Sequence, residues 1–217
     1  MSTWCPYAGG FPCATSPMSS SEFETTYGVW ANYASTTLQW PVSLILAQWS
    51  IESSWGTADI CTTGCPTNNP GNAGCYGSYC STVTCGLASY PGLCSGVIDG
   101  YVGFAQNNSD APGITATYAQ YVASAYQNGF TIPSKNGYGC LPGAGQHFTG
   151  LQAACAALGS SEWASSDYCY CGSEIGIACC SAGNYAGQTL YQRAVNDFGN
   201  QGIVAGASAP SECFNGC

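Results

Sequence analysis

Apolar residues recur at helical spacing in five stretches of the chain, and short runs rich in cysteine, glycine and proline separate them. In SEFETTYGVWANYASTTLQW a Ser cap and two glutamates precede a stripe of Phe23, Tyr27, Trp30 and Ala34, which predicts a helix starting near Ser21. A second helix is predicted to open at Pro41, whose fixed φ suits a first helical turn, and to run through VSLILAQWSIESSW to a stop at Gly56. Three more follow: ITATYAQYVASAYQNG ending at Gly129, TGLQAACAALG, and NYAGQTLYQRAVNDFG ending at Gly199. Residues 57–100 differ, because Pro and Gly punctuate them and six cysteines lie among them. They predict a small loop or β lobe, with a short strand over Val97 to Phe104. Residues 1–20 read as an arm pinned by Cys5 and Cys13, and residues 201–217 as a tail tied back by Cys213 and Cys217. No repeat or linker divides residues 21–200. The expected architecture is therefore α+β, mainly α: a helical body with a small cysteine-rich β/loop lobe, stapled by disulfides.

Charge narrows the functions. Only Lys135 and Arg193 oppose eleven carboxylates, for a net charge of −9. Phosphate backbones need clustered cations, so nucleic acid is excluded as the main partner. An acidic chain gains nothing from anionic membranes, and no run reaches the roughly 20 apolar residues of a spanning helix. Sixteen cysteines in 217 residues indicate an oxidising setting in which thiols pair. The spacings Cys61-x3-Cys65, Cys169-x-Cys171 and Cys179-Cys180 also suit metal ligands, but zinc clusters usually recruit histidine and the chain has only His147. Bridges are expected, with no metal and no cofactor. The opening residues MSTWCPYAGG have neither the basic nor the apolar run of a secretory leader. A leader already removed, release of a virus or phage particle by lysis, or the oxidised interior of a hyperthermophile would each account for this. The expected location is extracellular, secreted or on a particle.

The helix from Pro41 to Trp55 carries the sharpest chemical candidate. A rotation of about 100° per residue brings Ile45, Gln48, Glu52 and Trp55 into one stripe. This puts Glu52 on the buried side, where desolvation without a cationic partner should keep it protonated. A proton-holding glutamate suits a general acid that protonates a glycosidic oxygen. A glutamate reaching solvent at a helix end is the other outcome of the same periodicity. Trp49, Trp55, Tyr76, Tyr79, Tyr90, Tyr101 and Trp163 offer faces for pyranose rings, or else fill core. His147, in GAGQHFTG, has no nucleophile motif beside it. Asn107 heads an NNS sequon, which matters where exported proteins are glycosylated.

The run PVSLILAQWSIESSWGT and the loop TNNPGNAG after it resemble the glucosaminidase domain of glycoside hydrolase family 73, whose helix reads roughly AQaalESgWG before an Asn-rich loop. Weaker likenesses join ALGSSEWASSDY to the family's GYATDPxY or SxWAS-x-Y segment, and VGFAQNNSDAPGITATYAQYV to its FRxYxS strand and following helix. Together they span about residues 25–200. The resemblance implies a lysozyme-like fold with Glu52 as the acid and Tyr168 in the cleft, with Tyr170 and Tyr185 as competing tyrosines. Gln48, Trp55, Asn69, Tyr76 and Trp163 are candidate substrate contacts. The family often has a second carboxylate in its β lobe, whereas this chain has no Asp or Glu between Cys61 and Gly96. Asp99, Asp59, or the 2-acetamido oxygen of the substrate itself could fill that role. The insert YCYCGSEIGIACC is unlike the family pattern.

The expected function is hydrolysis of β-1,4 bonds between N-acetylglucosamine and N-acetylmuramic acid, with the peptidoglycan glycan strand as partner. The alternative is a non-catalytic lysozyme-like protein that binds wall glycan or builds a virus particle or extracellular filament with other subunits. The low charge and the missing lobe carboxylate point that way. Having two cations, the chain is also expected to tolerate acid, since protonating its carboxylates builds little positive self-repulsion.

Overall fold

The computed structural model describes residues 14–57, 67–82, 88–109, 115–137, 139–163 and 183–214. The architecture is mainly α, with a few strands of two residues each. The chain forms two compact units, one from residues 1–37, 48–105 and 204–217, the other from residues 38–47 and 106–203.

The first unit holds α1 (Ser20–Leu38) up to Thr37 and the last five residues of α2 (Val42–Glu52). Ser19 starts α1 through a capping box: Glu22 N donates to Ser19 Oγ at 3.3 Å, and Ser19 N donates to Glu22 Oε2 at 2.8 Å. The cap therefore lies two residues before the expected start. The predicted stripe is found, with Phe23, Tyr27, Trp30 and Ala34 all buried. Later in the unit, β1 (Ser81–Thr82) pairs antiparallel with β2 (Ala88–Ser89), and a continuous helical run follows as α3 (Leu93–Ser95), a π-helix (Gly96–Gly103) and α4 (Phe104–Asn107), the unit ending at Ala105.

That run corrects the strand expected over Val97 to Phe104. Buried Val97, Tyr101 and Ala105 recur every four residues, which is a helical spacing. The glycines of this run serve close approach. A Cβ at Gly96 would collide with the Asn68 carbonyl, one at Gly100 would stand 2.7 Å from the Tyr90 ring, and one at Gly103 would stand 2.8 Å from the Tyr76 ring. The wide turns of a π-helix are rare and recur at functional sites.

Two disulfides are formed among the described residues. Cys75–Cys80 closes a short loop, and Cys94–Cys213 joins positions 119 residues apart, so the tail is tied back as expected at Cys213. Thr36 Oγ1 donates to Val204 O at 2.6 Å, and Val204 N donates to Ser35 Oγ at 3.0 Å, which lays the tail along α1. Cys140 and Cys155 are thiols, an exception to the expected pairing. Cys155 is wholly buried and burial raises its pKa, so it acts as a small apolar residue.

In the second unit, α5 (Tyr118–Asn128) opens with a capping box between Thr117 and Gln120 and closes at Gly129, φ 85°. Helix α6 (Gly150–Ser160) packs against α5 and against α7 (Gln188–Asn196). Its buried alanines keep the neighbouring backbone near, and a Cβ at Gly159 would collide with the backbone of Gly187. Two hairpin-like pairs complete the unit, β3 (Phe130–Thr131) with β6 (His147–Phe148) and β4 (Lys135–Asn136) with β5 (Gly139–Cys140). No described helix is long and apolar enough to cross a membrane.

Candidate active site

Residues 41–50 are buried without exception, so α2 has no polar face over that span. The amphipathic stripe expected there is corrected accordingly. Exposure begins at Ile51 and Glu52, which leaves Glu52 half-buried at the helix end. The helix stops four residues before Gly56. Trp55 N donates to Ser50 O at 2.9 Å and Ser54 N to Ile51 O at 3.2 Å, a Schellman pattern with Ser54 at φ 45° where glycine is usual. Trp55 (φ 60°) and Gly56 (φ 83°) prolong the left-handed turn. A bulky residue in that region costs on the order of 1–3 kcal/mol and needs support from its surroundings. Met18 N supplies some by donating to Trp55 O at 3.1 Å, and Phe23 packs edge-on against the Trp55 ring at 5.5 Å. Trp55 is thus placed by a turn, and the helical stripe shared with Glu52 is overturned.

Gln48 and Tyr101 are both wholly buried, and Tyr101 Oη donates to Gln48 Oε1 at 2.6 Å. Trp49 meets the Tyr101 ring edge-on at 5.2 Å. Burial holds the Tyr101 phenol well above its ordinary pKa, the charge of Glu52 acts in the same direction, and a weaker influence of the Trp49 indole opposes both. Glu52 therefore lies within electrostatic reach of Tyr101. Gln48 Nε2 is buried without an acceptor, a situation that costs about 1–3 kcal/mol. Gln48, expected as a substrate contact, is placed in the interior.

Asp99 sits on the π-helix, half-buried, with its carboxyl against Gly77, where a Cβ would stand 2.9 Å from Asp99 Cγ. Burial raises the Asp99 carboxyl. The phenols of Tyr33 and Tyr90 are raised first by their own burial and further by the charge of Asp99. Glu52 and Asp99 thus belong to one unit, and both cations and the only histidine of the chain belong to the other.

No family model, no curated protein and no solved structure matches this chain.

The remaining candidates divide clearly. Asn69 is 2% exposed, and its amide is spent on the loop, with Nδ2 donating to Ala73 O at 2.7 Å and Oδ1 accepting from Ala73 N at 3.1 Å. Asn69, expected as a substrate contact, thus has its side chain engaged within its own loop. Trp49, Tyr90 and Tyr101 are core, whereas Trp55 and Tyr76 are partly exposed and Tyr79 is exposed. Trp163 is half-buried in the second unit, with Trp40 at 5.9 Å and Tyr118 at 5.3 Å. Tyr185 lies in that unit too, where its hydroxyl accepts from Gln152 Nε2 at 2.9 Å. Tyr168, Tyr170 and Asp59 lie outside the described residues. A cavity of about 420 Å³ at the start of α1, lined by residues 14–18 with Glu22 and Thr26, contains none of the predicted site residues. Among the described residues no three His, Cys, Asp or Glu side chains converge as metal ligands. Tyr33 and the Tyr101–Gln48 bond escaped the sequence reading. Neither carries a local signal, because each depends on how α1, α2 and the π-helix meet.

Proposed function

We propose that the protein is a peptidoglycan hydrolase with a lysozyme-like site, in which Glu52 protonates the glycosidic oxygen between N-acetylglucosamine and N-acetylmuramic acid. The observation that carries this is Glu52, half-buried at the end of a helix that is buried up to Ser50, in the same compact unit as Asp99. Partial burial of a carboxyl favours its protonated form, which is what a general acid requires. Asp99 is the favoured second carboxyl, as base or nucleophile, because it shares the unit and sits on a π-helix. Trp55 and Tyr76, both partly exposed, are the favoured sugar platforms. The two disulfides fit an extracellular or particle-borne setting.

A non-catalytic wall-binding or particle-building role is the second reading, favoured by the interior placement of Gln48 and Asn69. Turbidity loss of purified cell walls separates the two. The hydrolase reading expects clearing by the wild type and a fall of about 10²–10⁴ in rate for Glu52→Gln, the usual span for removing a general acid. Absence of clearing by a folded wild type favours the second reading. Mass spectrometry of borohydride-reduced products then tells glucosaminidase from muramidase cleavage.

A further inference from the structure

Cys94 and Cys213 are wholly buried, whereas Cys75 is exposed and Cys80 half-buried, so the two described disulfides differ in the access they give to an attacking thiolate. The loop that Cys75–Cys80 closes lies on the π-helix. Just before it, a Cβ at Gly74 would stand 2.6 Å from the Phe104 ring, and within it the Tyr76 ring lies against Gly103. Tyr90 Oη accepts from Tyr76 N at 3.1 Å and donates to Tyr76 O at 3.2 Å, which fastens the loop at that residue. Gly77 then turns the chain at φ 81° onto Asp99, where a Cβ would stand 2.9 Å from Asp99 Cβ and Cγ and 3.0 Å from Oδ2. Beyond Gly77 the disulfide ties the chain back at Cys80, so it limits how far Gly77 can lift from the carboxyl. The titratable groups facing Asp99 are Tyr33 of α1 and Tyr90 ahead of α3, and the loop itself carries Tyr76 and Tyr79. All are phenols, neutral across the range in which a carboxyl titrates.

We propose that Cys75–Cys80 is a redox site for a dithiol reductant, whose reaction there, ahead of the buried Cys94–Cys213 bond, releases the loop and uncovers Asp99. One thiolate of the reductant attacks Cys75 Sγ, the S–S bond breaks, and Cys80 leaves as a thiolate that takes up a proton. The second thiolate attacks the mixed disulfide and frees Cys75, which is protonated in turn. The reductant is oxidised to its own disulfide, and two electrons and two protons pass to the protein. Exposed disulfides are the labile and regulatory ones, and a buried one needs the fold to open first. The catalytic consequence rests on the hydrolase reading, in which the reaction would switch the hydration of the second carboxyl. The redox chemistry and the uncovering of Asp99 do not depend on that reading.

Differential alkylation of the intact chain tests the selectivity. Thiols already free, such as Cys140, are blocked with N-ethylmaleimide. Dithiothreitol is then applied under native conditions, and the new thiols are labelled with iodoacetamide and mapped by mass spectrometry. Cys75 and Cys80 are expected to be labelled at least about tenfold faster than Cys94 and Cys213. Equal or slower labelling overturns the proposal. Nuclear magnetic resonance of the Asp99 carboxyl carbon against pH, before and after reduction, tests the uncovering. Burial holds the Asp99 carboxyl up in the closed loop, so reduction is expected to lower its midpoint, with a rise of about threefold in its ionisation constant. The double variant Cys75→Ser, Cys80→Ser is expected to show the lowered midpoint from the start and no response to dithiothreitol. A midpoint unmoved by reduction overturns the proposal, and so does a shift that persists in the double variant, which would assign it to another bridge. Should the variant fail to fold, the wild type titrated at the stage where only Cys75 and Cys80 are labelled still decides. Wall clearing by the oxidised wild type is read separately: its absence removes the hydrolase reading and leaves both measurements intact.

Discussion

Ser54, Trp55 and Gly56 each adopt a left-handed backbone, and only the last is of a type that does so without strain. Ser54→Gly should therefore stabilise the protein by about 0.5–1 kcal/mol, read as a higher urea midpoint. Gly56→Ala should do the opposite. Its φ is 83° and the added methyl would stand 3.3 Å from both Met18 Cε and Tyr27 Oη, so a loss of about 1 kcal/mol or more is expected. Asp99 supplies a pH test. Its folded carboxyl is raised by burial, so the protonated form favours the folded state. That contribution is complete below the ordinary carboxylate range near pH 4 and is lost as pH rises through the raised folded value. Asp99→Asn should flatten this decline in the urea midpoint, and an identical slope in both proteins would contradict the burial assigned to Asp99. The Glu52 position was legible in the sequence as a lone carboxylate in an apolar run. Its surroundings were not, because Gln48 meets Tyr101 across 53 residues of chain.

At the scale of elements, periodicity found α1, α5, α6 and α7 because each has a buried stripe and a cap or stop residue. It misjudged the end of α2 since no glycine marks the left-handed position, which falls on Ser54. It misread the π-helix because Gly96 and Gly100 look like turn residues when no partner is visible. In the folded chain those glycines and Gly103 let the Asn68 carbonyl and the rings of Tyr90 and Tyr76 close on the helix. The π-helix thus depends on them directly. Gly96→Ala should be among the most damaging single changes, with a loss of about 3 kcal/mol or more, because the obstacle is rigid backbone. Gly145→Ala makes a fair control for crowding, since nothing lies within 4 Å of its would-be methyl, although its φ of 83° carries strain of its own. Thermal unfolding of the two variants side by side measures the difference.

For the molecule as a whole, covalent and electrostatic effects dominate what composition can foretell. The Cys94–Cys213 bond closes a loop of more than a hundred residues, and removing it by the double change Cys94→Ser and Cys213→Ser should cost about 2–5 kcal/mol in a chemical denaturation curve. Acid should be tolerated, because protonating eleven carboxylates leaves only two Lys or Arg charges and one histidine to repel one another. Glu22 opposes this slightly, since the Ser19 cap holds its carboxyl below the usual range and that support is lost as pH falls through the lowered value. Retention of the folded circular dichroism signal at about pH 3 is the expected outcome, and unfolding between about pH 3 and pH 4 with disulfides intact would contradict it. The claim that Glu52 is a general acid meets its most direct test in the release of new reducing ends from purified peptidoglycan, compared between the wild type and Glu52→Gln under identical conditions. The account predicts steady release by the wild type and near-complete loss in the variant; equal release by both would contradict it.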